Sequence, residues 1–411
     1  MRKQTHTVNT MRFFNLAFAL VVACLPGQVH AQGAVNYGYG SGAYYPFSFV
    51  QGGLYNYIYG YAATISGGLG GTASGTASSI LGGTYNKILS SAQTAINGGD
   101  ANTALGVGYG GRIGGGNSNN LYYSYAPVIS GGISNWIYGS WSNINGGRYN
   151  AIYNAKAYSG ISGGESNRVY YGSYAIVGGG LGNTVYGSWG TVSGGAYNKA
   201  YTAGTVSGGM YNYAGPYSFV GGGHNNRADG SYTTVGGGSL NTVYGSWGYI
   251  GGGLYNLIYY ANHATIGGGT ENQINGDWST IVGGSFSIAD GNVNTISGGW
   301  YNYASGYGAT VVGGFENNAE GSRAKVGAGR DNDAVAPYAT IVGGQYKYVK
   351  GFGFPNRCSA VHVQSNRITH TWAHRVTFVC MCGSHDIATL AALGRPSGVV
   401  QAVMCMANTL L

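Results

Sequence analysis

The stretch TTVGGGSLNTVYGSWG (233–248) decides how the rest of the chain is read. Its second half, NTVYGSWG (241–248), also stands letter for letter at 183–190, and a near copy, NWIYGSWS, occupies 135–142. A catalytic site is normally assembled once, from residues far apart in sequence. Octets written repeatedly mark a stack of equivalent structural units. The first half carries the wider signal, a Gly pair followed three residues later by Asn. GGxxN occurs sixteen times, as in GGTYN at 82, GGAYN at 194 and GGWYN at 298. With degenerate copies such as GGSFS (283) there are about twenty units. Most are 14 to 17 residues apart. The unit reads T-[VI]-x-G-G-x-x-N-x-[AVI]-x-G-[ST].

Two short strands are predicted per unit, the T-[VI]-x run before the Gly pair and the x-[AVI]-x run after the Asn. Alternation sends Val or Ile inward and the preceding Thr outward. Gly and Asn are expected at the positive-φ corners. Coils of this size stack through parallel backbone pairing into an all-β parallel solenoid. Its interior holds pairs such as Val192 with Ala200, Val235 with Val243 and Ile266 with Ile274. So many glycines leave no apolar period of 3.6, which excludes helices from this region.

The unit resembles the head repeat of trimeric autotransporter adhesins, best seen in TVVGGFENNAEGS (310–322), TISGGWYNYASG (295–306) and TTVGGGSLNTVYGS (233–246). The resemblance covers about 45–350. It implies a left-handed parallel β-roll, three chains packed into one head, and attachment to a host, matrix or polysaccharide surface. Tyr and Trp here occupy positions where that family has small residues.

Composition divides the chain into three. All 38 Tyr fall between Tyr37 and Tyr348. Residues 1–31 read as a signal peptide: basic residues, the apolar run FFNLAFALVVACL (13–25), then Pro26 and QVHA. Cleavage after Ala31 is expected, with lipidation at Cys24 as the competing route. Both place the chain outside the cytoplasm, at the cell surface or in the extracellular space. Residues 32–350 form the Gly/Tyr-rich repeat domain. Residues 351–411 form a Cys/His-containing tail of unknown structure, with no heptads and no run of alternating barrel strands. Its Cys358, Cys380, Cys382 and Cys405, with His362, His370, His374 and His385, admit a disulfide, a zinc site of non-standard spacing or a frameshifted end. The disulfide fits an exported protein best.

The net charge of +8 is no nucleic-acid signal. Residues 32–350 carry 12 Lys+Arg against 10 Asp+Glu, with no basic stripe to follow phosphates. Acidic residues such as Glu165, Asp229, Glu271, Asp277, Asp290, Glu316 and Glu320 lie on different units and repeat no pair, which argues against glycosidase or calcium chemistry. No enzyme activity, metal or cofactor is expected.

Two side-chain columns remain as candidate binding residues. Trp141, Trp189, Trp247 and Trp278 recur beside a corner, with Tyr138, Tyr186 and Tyr244 three residues before the first three. Exposed, they would stack on sugar rings or grip a protein surface; otherwise they cap corners or fill a subunit interface. Thr265, Thr280, Thr295 and Thr310 are each 15 apart. They form a hydroxyl-and-methyl column that suggests, as the alternative to an adhesin, a monomeric structural or ice-binding solenoid. A plain cross-rung ladder of β-branched residues accounts for them equally.

Overall fold

The computed structural model describes residues 35–350, together with the backbone of 362–368, 371–382 and 386–393. The expected signal segment and Cys24 lie outside the described residues. The fold is a parallel β-solenoid of about 21 turns with coils of about 15 residues, and there is no helix among the described residues. It divides into two compact units, Met1–Ser134 and Asn135–Leu411.

Both units repeat one rung. In each unit the strands before the Gly pair form one parallel sheet. In the first unit it includes Phe49–Val50, Thr64–Ile65 and Ser79–Ile80. In the second it includes Thr234–Val235, Tyr249–Ile250 and Thr265–Ile266. Strands after the Asn form the other sheet, as in Arg227–Ala228, Thr242–Val243 and Leu257–Ile258. Most strands are two residues long, so one residue points in and one out. The inward residues are the expected ones: Val192, Ala200, Val235, Val243, Ile266 and Ile274 are all fully buried.

The rung departs from the predicted two strands and two corners. The residue after the Gly pair makes a parallel bridge to its equivalent on the next rung, as in Ser239 to Leu254 to Thr270. This is a third side, one residue long. A single bridging residue carries no alternation, so no hydropathy pattern announces it.

The Asn of the motif is also not at a positive-φ corner, as expected from its type. It is buried inside the rung, and the residue before it turns the corner: Leu240, Tyr255 and Tyr301 have φ of 60°, 56° and 54°. Asn241 shows what the amide does. Its Nδ2 donates to Gly237 O and to Gly253 O of the next rung, both at 2.9 Å. Its Oδ1 accepts the backbone N–H of Asn256 at 3.0 Å. Its own N–H donates to Asn226 Oδ1 at 3.1 Å. One side chain thus closes its own turn and joins three successive rungs. Asp cannot replace it, because the position needs both amide donors.

The two glycines of the pair are not equivalent. The second holds a positive φ, 87° at Gly238, and a Cβ there would run into Gly253 O. At Gly237, the first, a Cβ meets nothing within 4 Å. Ala328 occupies that first position naturally, before Gly329.

The backbone of the tail forms three antiparallel strands, His362–Ile368, Thr371–Cys382 and Asp386–Leu393. TWAHRVTFVCMC is dense in β-branched and aromatic residues, and that density favours strand even without strict alternation. Thr340–Ile341 pairs in parallel with the first of them. Cys358, Cys405, His370 and His385 lie outside the described residues, and of Cys380, Cys382, His362 and His374 only the backbone is described, so the expected disulfide falls outside what is described.

Gly238→Ala is expected to lower the melting temperature sharply, while Gly237→Ala leaves it within a degree or two of wild type. Asn241→Ala leaves the Gly237 and Gly253 carbonyls and the Asn256 N–H without partners, at about 1–3 kcal/mol for each buried group that stays unpaired. It should therefore cost more than an Ile→Val change in the same rung. Thermal melts of the three variants followed by circular dichroism check the order.

Candidate functional site

In the second unit the candidate aromatic residues fall in two separate columns. The four tryptophans sit on the corner that precedes the first strand, all at positive φ: 55° for Trp141, 64° for Trp189, 59° for Trp247 and 60° for Trp278. They do not stack on one another. The rungs between them carry further rings at the same place: Tyr158, Tyr174, Tyr217, Tyr232 and His263, also with φ between 43° and 60°.

Neighbours stack nearly parallel along the column. Trp141–Tyr158, Tyr158–Tyr174 and Tyr174–Trp189 are 5.8, 5.5 and 4.4 Å apart between centroids. A second run joins Tyr217–Tyr232 at 5.0 Å, Tyr232–Trp247 at 4.4 Å, Trp247–His263 at 6.0 Å and His263–Trp278 at 4.0 Å. The five intermediate rings were missed in the sequence reading. Their signal was a fixed offset: each ring stands two residues before the first strand, as in Tyr232-Thr233-Thr234-Val235 and Trp278-Ser279-Thr280-Ile281.

Tyr138, Tyr186 and Tyr244 belong to a different column, on the outward side of the second strand. Tyr138 is in register with Tyr153. Tyr153, Tyr170, Tyr186 and Tyr201 stack at 5.1, 5.2 and 5.2 Å. Tyr201 then leans on Tyr213 at 5.0 Å. Further along, Arg227 lies between Tyr213 and Tyr244, its guanidinium carbon 4.3 and 5.9 Å from the two ring centroids. Arg227 Nη2 also pairs with Asp229 Oδ2 at 2.8 Å. Burial, then the charge of Asp229 and the neighbouring Tyr201, push the Tyr213 hydroxyl well above the usual tyrosine range. Tyr303 is pushed the same way, by burial and by its hydrogen bond to Asp290 at 3.1 Å.

This geometry revises what the rings offer. Within a run, each face is covered by the ring on the next rung, so sugars cannot stack along it as expected. What faces solvent there is the ring edge: Trp247, stacked on both sides, is still 54% exposed.

The four threonines come together as predicted. Thr265 pairs with Thr280, Thr280 with Thr295 and Thr295 with Thr310, outward and half-exposed above the buried Ile266, Ile281, Ile296 and Val311. Tyr249 precedes and Lys325 follows them in the column. Two residues on, the next outward column is mixed: Gly267, Val282, Ser297 and Val312. Since His263 and Trp278 stand two residues before Thr265 and Thr280, the Thr column and the ring edges border one another.

Some acidic groups of neighbouring rungs come close together, at positions that do not repeat along the column. Glu316 and Asp331, on adjacent rungs, share a side-chain hydrogen bond that raises the Glu316 carboxyl, with smaller contributions from burial and from the Asp331 charge. Among the described residues no cluster of three or more His, Cys, Asp or Glu is arranged to hold a metal ion.

The raised tyrosines set a sign for pH. The folded chain holds these protons more tightly than the unfolded chain, whose tyrosines ionise near pH ~10. Their stabilisation is fully present below that pH and is lost as pH rises through the higher folded values. Melting temperature should therefore fall above pH ~10. Tyr213→Phe and Tyr303→Phe should flatten that fall, as read by melts between neutral and strongly alkaline buffer. No protein family's sequence profile matches the chain, and no curated protein is significantly similar to it.

Proposed function

We propose that the chain is an exported, adhesin-like repeat protein, attaching to an extended surface through its corner aromatics and the Thr column beside them. The corner aromatics carry this reading. A non-Gly residue in the left-handed region costs on the order of 1 kcal/mol, and an aromatic stack returns about 0.5–1.5 kcal/mol. Stability alone is therefore indifferent to the rings, and a Gly, as at Gly308, turns the same corner without strain. Rings held on rung after rung at an exposed, strained position suit a role outside the fold. Their edges make two strips of apolar area, Trp141 to Trp189 and Tyr217 to Trp278, with phenol and indole groups along them. Such a strip matches a repetitive host, matrix or polysaccharide surface better than a small molecule. No catalytic role is proposed for any of these groups, nor a nucleic-acid partner.

Assembly as a homotrimer belongs to the same reading. The support is the resemblance of the repeat and the exposed apolar residues of the bridge column, among them Met210 and Trp300, 44% and 51% exposed. The alternative, a monomeric structural or ice-binding solenoid, is favoured by one observation, the four threonines in direct register on consecutive rungs.

Light scattering of the full chain is expected to give three times the chain mass of 42.4 kDa. Retention on particles of insoluble polysaccharide and on immobilised matrix protein should drop several-fold in the Trp247→Ala/Trp278→Ala variant and stay unchanged in Trp300→Ala. A monomer that ignores every surface but slows ice recrystallisation, and loses that effect in Thr280→Leu/Thr295→Leu, would replace the adhesin reading with the alternative.

A further inference from the structure

The column of corner rings in the second unit has one gap of a single rung; after Trp278 the same corner carries Val293, Gly308 and Arg323 before a ring returns at Tyr338. Every rung from Trp141 to Trp189 supplies a ring, as does every rung from Tyr217 to Trp278. The single rung between these runs supplies Ala203. Its backbone is unchanged. Ala203 N donates to Ser188 O at 2.8 Å and Tyr217 N to Thr202 O at 2.9 Å, the same bond that Trp189 N makes to Ser173 O. Ala203 also keeps the corner conformation, with φ of 53°. Only the side chain is missing. The neighbouring column does not break here, since Tyr201 stacks on Tyr186 and on Tyr213.

The break uncovers two ring faces. Trp189 is covered on one side by Tyr174, at 4.4 Å and 10° between planes. Tyr217 is covered on its far side by Tyr232, at 5.0 Å and 13°. Their other faces look toward each other across Ala203, two rungs apart, or roughly 9.6 Å. A flat aromatic guest in contact with both walls needs only about 7 Å and would leave a gap on one side. A pyranose chair is thicker by its puckered carbons and axial hydrogens and needs roughly 8 to 9 Å. Both faces of the guest must be apolar, because both walls are. A chair whose substituents are all equatorial presents axial C–H bonds on each face and its hydroxyls around the rim. A galactose-type chair puts one hydroxyl on a face. At the rim of the break stands Thr202, exposed on the same rung.

We propose that the break at Ala203 is a binding slot for one pyranose of a β-linked, all-equatorial glycan, sandwiched between Trp189 and Tyr217. The slot deepens the surface-attachment reading, since it gives a polysaccharide a point of entry with a stacked ring on each side.

The test uses the full chain and cellotetraose, with a β-1,4-galactose tetrasaccharide as the contrast, followed by calorimetry. Binding of cellotetraose is expected, with the galactose compound at least roughly tenfold weaker. Ala203→Trp fills the slot, and folding is expected because Trp189 and Trp247 hold the same backbone conformation. That variant should melt no lower than wild type and lose cellotetraose binding. Trp189→Ala removes one wall and should weaken it at least roughly tenfold, while Ala203→Ser leaves it intact. Wild-type indifference to cellotetraose, equal binding of both sugars, or undiminished binding by a folded Ala203→Trp would overturn the slot. Retention of Ala203→Trp on insoluble polysaccharide separates the two readings. If it persists while cellotetraose binding never appears, the slot fails and surface attachment stands. If the wild type is not retained on any surface, the attachment reading fails.

Discussion

The fold depends on a buried asparagine amide. Each rung of this solenoid encloses only a few small apolar side chains, so hydrophobic burial alone says little about how one rung sits on the next. The Asn of GGxxN supplies what the core lacks. Its two N–H groups take the carbonyls of its own Gly pair and of the next one, and its oxygen takes the next rung's backbone N–H, as at Asn241, Asn256 and Asn272. These groups are buried, so water cannot substitute for any of them. A slip of one residue would break several bonds at once. The ladder therefore fixes register in a protein whose strands are mostly two residues long.

That constraint explains the glycines. The carbonyl that an Asn amide reaches on the next rung belongs to the second Gly of the pair, whose positive φ aims it inward. The same approach brings it where a Cβ on the rung before would stand, as Gly253 O does for Gly238. The second Gly is obligatory for steric reasons as well as conformational ones. The first Gly faces open space, and only there does the chain carry substitutes such as Ala328. Where the Asn itself is replaced, the ladder ends locally: Ser287 N still donates to Asn272 Oδ1 at 3.1 Å, but its hydroxyl reaches no carbonyl of the next Gly pair.

Outside the coil, strain and exposure coincide. Corners that favour Gly or Asn carry Trp, Tyr and His, and these rings cover each other's faces at the spacing the sheets impose. Stacking at a rung's distance turns a row of potential sugar platforms into a strip of edges. Faces become available only where the row stops, and at Ala203 it stops for a single rung with a ring on either side. The period of the backbone thus decides which chemistry the aromatic column presents.

Much of this was legible in the sequence. The GGxxN count and its spacing predicted stacked coils, alternation assigned Val235 and Val243 to the interior, and the 15-residue period aligned Thr265 with Thr280, Thr295 and Thr310. Those features are local and periodic, and residue type alone carries them. The tertiary structure decided the rest. Asn is a good corner residue by type, and only the meeting of two rungs shows that its amide is worth more inside. A bridge of one residue has no pattern to read. Whether Trp189 shows a face or an edge depends on what Tyr174 and Ala203 place above and below it. Those neighbours are a whole turn away along the chain and one strand spacing away in space, a contact that repeat length allows but only the stacked backbone makes.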